Sequence, residues 1–71
     1  LDVDTVNAAM KDGHAGVREH AARAAEPLVA EDAAVLTAMA ALANDPEPRV
    51  RYQAAFSIGY ATAPARTEAL A

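Results

Sequence analysis

The sequence predicts an all-α chain, an α-solenoid (α-α superhelix) of about two stacked antiparallel helix pairs. Three observations carry this. Apolar residues recur at helical spacing along the whole chain, and no segment alternates with period 2. Prolines and turn residues cut the helical pattern into short pieces. The pieces repeat: shifting the sequence by 33 residues lays one half on the other, and self-similarity at a fixed period of about 20–50 residues marks a stacked repeat.

Each element follows from its own residues. Val3, Val6, Ala9 and Met10 share one face, which predicts a helix over 3–11. Val17, Ala21, Ala24, Ala25 and Leu28 mark a second over 15–29, with Pro27 in a bent or terminating last turn. Val35, Leu36, Met39, Leu42 and Ala43 mark a third over 32–44, and Asp32 is its N-cap. The stretch DPEPRVR follows. A residue before proline is pushed out of the α region, so Asp45 and Glu47 end the incoming helix near Asn44. Proline costs nothing at a first helical position, so a fourth helix starts at Pro48 and runs to 61. Its core face is Val50, Ala54, Ser57, Ile58 and Ala61. A turn at 62–64 opens a fifth helix from 64 on.

At a shift of 33, Asp12 falls on Asp45, Val17 on Val50, Arg18 on Arg51, Ala21 on Ala54 and Ala22 on Ala55. Val3, Val6, Ala9 and Met10 fall on Leu36, Met39, Leu42 and Ala43. Turn, arginine and both helix faces coincide together. The chain therefore divides into the second helix of a preceding repeat (1–11), a full repeat (12–44) and part of the next (45–71).

These residues resemble HEAT repeats, most closely the bacterial phycobilisome-lyase HEAT-like type. An aspartate in the turn, a Val-Arg pair and small residues on one helix face carry the resemblance. In the upstream copy, DGHAGVR, glycine and alanine stand where the family has proline. The resemblance implies that Asp12, Arg18, Asp45 and Arg51 form a hydrogen-bonded ladder between repeats. It implies a protein-binding or scaffolding role in a larger HEAT-repeat protein. The alternative it leaves is an accessory segment of a bacterial enzyme, lyase-like or linked to a redox or cytochrome domain.

Composition narrows the function. With 71 residues, 21 of them alanine and three aromatic, the chain buries little area per residue. It is expected to fold poorly alone or to self-associate, as a piece of something longer. A net charge of −4 argues against nucleic acid, whose binders need a basic face. No apolar run approaches the ~20 residues of a membrane span, so no membrane partner is expected. There is no cysteine, hence no disulfide and no thiolate site. That fits cytosol and periplasm alike, the cytosol slightly favoured.

No catalytic, cofactor or metal site emerges, and the chain is not read as an enzyme. His14 and His20 lie six apart, off the i, i+4 spacing of a metal pair. Glu31, Asp32, Asp45 and Glu47 sit at helix starts, where they complement the helix dipole. Ser57 reads as a buried hydroxyl bonded back to its own helix. Arg18 and Arg51 read as the structural ladder first, and as a phosphate or carboxylate grip second. Tyr52, Phe56 and Tyr60 form one stripe at i, i+4, i+8 on the side of their helix away from Val50 and Ile58. One repeat earlier the same positions hold Glu19, Arg23 and Pro27, so the column is not a core column by nature. The next helix pair, a second copy of the chain, or a protein partner should cover it.

Overall fold

Short polar side chains start each of the first three helices by accepting the backbone N–H groups that the first turn leaves free. The computed structural model describes residues 2–62. Asp2 accepts from Thr5 N at 2.7 Å and opens α1, Val3–Ala9. That bond holds the Asp2 carboxyl below its ordinary range. Asp12 shapes the next turn by accepting from His14 N at 2.8 Å. The Nδ1 of His14 then accepts from Gly16 N at 3.1 Å and caps α2, Ala15–Ala24. Pro27 forces the end of α2 into a single 3₁₀ turn, Glu26–Leu28. Asp32 accepts from Ala34 N and Val35 N at 2.8 and 3.3 Å and starts α3, Ala33–Leu42. Pro48 begins α4, Pro48–Thr62. Among the described residues every element is helical. The fifth helix expected from 64, and the end of the 45–71 unit, lie outside them.

The four helices pack as two layers. α2 lies along α4 and α1 along α3, while α1 touches α2 and α3 touches α4. Polar pairs along the α2–α4 seam rise in number together on both helices, so the two run parallel. Between the layers sits a core of Val6, Met10, Val35, Met39, Leu42 and Val50, closed by alanines at 21, 22, 25 and 54. Alanine on α2 lets the neighbouring backbones approach closely. Val50, Val35 and the two methionines supply the volume.

Three residues read as core are not. Val17 is 39 % exposed and Leu36 is 37 % exposed, and Ala43 is exposed as well. The inward face of α3 runs through Val35, Met39 and Leu42 at i, i+4, i+7. Leu36 stands one step round the helix from it. Ala43 is the C-cap of α3, past the packed face. Val17 does lie on the apolar side of α2, but no described element covers that edge.

Candidate functional site

Four polar pairs stitch α2 to α4. The strongest joins Arg18 to Asp45: Arg18 Nε donates to Oδ2 at 2.7 Å and Nη2 to Oδ1 at 3.0 Å. Both side chains are largely buried. A planar guanidinium matches a carboxylate with two parallel bonds, which adds direction to charge. The Arg18 bonds hold the Asp45 carboxyl below its ordinary value, against the opposing effect of burial. Asp45 in turn raises the Arg18 guanidinium. Asp45 Oδ1 also accepts from Glu47 N at 3.0 Å, so one carboxylate shapes the turn and receives the arginine.

The other sequence-predicted ladder residues hold related places. Arg18 Nη1 donates to the Asp12 carbonyl at 2.9 Å. Arg51 repeats that bond one unit later, donating from Nη1 to the Asp45 carbonyl at 2.8 Å and to the Pro46 carbonyl at 3.2 Å. The Asp12 carboxylate meets no arginine among the described residues; it accepts from His14 N. Among the described residues one such rung, Arg18 to Asp45, joins α2 to the turn before α4.

The remaining seam pairs are ones the sequence reading did not assign. Arg49 meets Glu19 at 2.8 Å, and Arg23 Nη2 donates to Gln53 Oε1 at 3.2 Å. The Arg49 side chain is well exposed, so that pair adds at most about 1 kcal/mol. Ser57, expected to bond back to its own helix, does so through the Gln53 side chain and also reaches beyond it. Its hydroxyl donates to Glu26 Oε2 at 2.6 Å and accepts from Gln53 Nε2 at 2.9 Å. A buried hydroxyl needs a partner, and the 3₁₀ turn at Pro27 brings the Glu26 carboxylate within reach. The spacing of about 30 residues between Glu19 and Arg49, Arg23 and Gln53, and Glu26 and Ser57 was the signal that could have found these pairs.

Several surfaces are open among the described residues. On α4, Tyr52 is 76 % exposed and Phe56 65 % exposed. The Phe56 and Tyr60 rings stack at 6.1 Å between centroids with 10° between their planes. At the opposite end of the molecule, α1 and α2 enclose a shallow apolar groove of about 430 Å³, lined chiefly by Val6, Ala9, Gly16, Val17, His20 and Ala24. Between α1 and α3 runs a furrow of about 490 Å³ with Asn7, Lys11, Thr37 and Ala38 on its walls. The Asn7 Oδ1 is buried without a hydrogen-bond partner among the described residues. His14 serves as a helix cap and His20 lines the groove. Among the described residues no three His, Asp or Glu side chains converge as metal ligands. No helix among them is long and apolar enough to cross a membrane.

A buried turn aspartate that takes a neighbouring unit's arginine, followed by a helix with a buried valine, is the pattern that residues 45–51 present. Residues 35–61 match the HEAT repeat family. The match spans α3, the DPEPRVR turn and α4 up to Ala61, well under half of the chain. It supports the HEAT reading of this helix pair. No curated protein and no solved structure matches the chain.

Proposed function

We propose that this chain is a protein-interaction and scaffolding module without catalytic activity of its own. Its two helix pairs act as consecutive HEAT units of an α-solenoid, of the bacterial phycobilisome-lyase-like kind that DPEPRVR resembles. HEAT repeats generally act as scaffolds for other proteins, and repeat arrays bind through surfaces built up from successive units. The observation that carries the reading is the exposed aromatic edge of α4. Among the described residues Tyr52, Phe56 and Tyr60 are the largest exposed apolar side chains, in a chain with few aromatics at all. Aromatic side chains anchor protein interfaces because they bury much area with few rotamers to freeze.

Capture by the immobilised chain tests this. Phe56→Glu should keep the helical circular dichroism of the parent, since Phe56 points outward, and should lose the captured protein. Equal capture by chain and variant would remove the aromatic edge as the binding surface and with it the support for this reading.

A further inference from the structure

The seam inside the chain specifies what its two outer faces would meet if stacking continued. α2 and α4 are 33 residues apart, as are the turns before them. Arg18, Glu19 and Arg23 on α2 and Glu26 in the 3₁₀ turn after it face Asp45, Arg49, Gln53 and Ser57. Moved on by one unit, the first set becomes Arg51, Tyr52, Phe56 and Gly59. Moved back by one unit, the second set becomes Asp12, Gly16, His20 and Ala24. The first set forms the aromatic edge of α4; of the second, Gly16, His20 and Ala24 line the groove of α1 and α2, and Asp12 stands in the turn before α2.

The two faces fit each other in charge and in size. Arg51 is anchored as Arg18 is, by Nη1 on the carbonyl six residues before it. Arg18 then gives Nε and Nη2 to a carboxylate, whereas those two groups of Arg51 have no partner among the described residues. Asp12 is prepared as Asp45 is, with Oδ1 on the backbone N–H two residues ahead, and lacks the arginine. Tyr52 would meet Gly16, which lines the groove without a side chain of its own. Phe56 would meet the His20 imidazole, and Gly59 would meet Ala24. A unit built like α4 itself would instead set Arg49, Gln53 and Ser57 against those rings, burying polar groups without partners. The groove of this same chain, with Gly16, the His20 ring and Ala24 at those positions, suits them better.

We propose that the chain binds a second copy of itself end to end. The α4 face of one copy sits on the α1–α2 groove of the next, and Arg51 of the first pairs with Asp12 of the second. This rests on the interaction-module reading and names the partner. Such a contact is heterologous and does not close on itself, so it builds short filaments rather than a symmetric dimer.

Sedimentation of the 71-residue chain from micromolar to millimolar concentration should show a ladder of species growing past the dimer. Arg51→Glu alone and Asp12→Arg alone should each weaken association by about ten-fold or more, since like charges then meet. Mixing the two variants in equal amounts should restore it, because every contact again joins opposite charges. Should either substitution disturb the fold, Phe56→Glu serves as an outward-facing control and should also give a monomer with unchanged circular dichroism. The chain has no cysteine, so disulfides report the geometry directly. A mixture of Gly16→Cys and Tyr52→Cys chains should cross-link mainly between the two variants. A wild-type chain that stays monomeric throughout overturns the proposal, and would leave the module reading standing if Phe56→Glu still abolished capture of another protein. Failure of the charge-swapped mixture to reassociate, or predominant cross-linking of Tyr52→Cys to itself, overturns it as well.

Discussion

Val17 and Val50 occupy matching places in two helices 33 residues apart, yet Val17 is 39 % exposed and Val50 is 0 % exposed. Their helices share a period, a following arginine and two alanines. The difference lies in what packs in front. α4 has α2 and α3 against it, so Val50 is enclosed. α2 has α1 and α4 as neighbours and nothing before it among the described residues. In a stacked array, core is therefore a property of position in the stack and not of the residue.

The sharpest way to test this is to charge both valines. Val50→Asp places an unpaired carboxylate in the core and should cost on the order of 3–5 kcal/mol, enough to unfold a chain this small. Val17→Asp should leave the helical signal and the urea midpoint nearly unchanged at low protein concentration. If both variants unfold together, the edge of α2 is covered in solution at that concentration. If neither unfolds, α2 and α4 do not pack as described.

The same contrast holds one residue on. Arg18→Ala strands a buried Asp45 carboxylate, whereas Arg51→Ala removes two bonds to backbone carbonyls and strands no charge. Thermal melts should drop by roughly 10 °C for Arg18→Ala and by a smaller amount for Arg51→Ala, with Arg49→Ala smallest because its pair with Glu19 is exposed. Equal shifts for Arg18→Ala and Arg51→Ala would mean that the rung to Asp45 contributes no more than the backbone contacts.

A gentler probe of that rung is pH. Asp45 has its folded-state pKa lowered from 3.8, chiefly by the Arg18 bonds. A depressed carboxylate stabilises the fold above its unfolded value, because the unfolded chain binds the proton more tightly. That contribution is complete above about pH 5 and is lost as pH falls below 3.8, through the lowered folded value. Asp45→Asn should be less stable at neutral pH and should show a shallower decline in acid. Asp2 is lowered too, so a residual slope is expected in that variant. Identical acid profiles for parent and variant would show that Asp45 is not held as described.

Much of the fold was legible because it is written in local signals. Asp32 as a cap, Pro48 as a first helical residue and Pro27 as a terminator each act through their own backbone. The period of 33 placed Asp45 and the arginines in matching positions, since identical residues at a fixed offset need no geometry to be seen. What stayed hidden depends on neighbours. The exposure of Val17 needs knowledge of what stands in front of it. The partner of Ser57 is a carboxylate 31 residues away, delivered by a 3₁₀ turn whose pitch the sequence does not state. His14 is set aside as a metal ligand by its spacing and has no role legible in the sequence; it acts as a helix cap, a use that the DGHAG turn makes available only once its backbone is in place.

The smallest effect concerns glycine within helices. Gly59 lies inside α4 with negative φ, and a Cβ built there meets nothing within 4 Å. Glycine loses more backbone freedom on folding than alanine does, so Gly59→Ala should stabilise α4 by about 0.5–1 kcal/mol. Gly16 is the contrasting case. A Cβ there would lie 3.2 Å from the His14 ring and 3.4 Å from Arg49 Nη2. His14 is held by its bond to Gly16 N, so it can move aside only by loosening the cap of α2. Gly16→Ala should therefore gain less than Gly59→Ala, or lose stability outright. Urea titrations at low concentration, where end-to-end contacts do not contribute, separate the two. A larger gain at Gly16 than at Gly59 would mean that the His14 cap yields freely and does not define the start of α2.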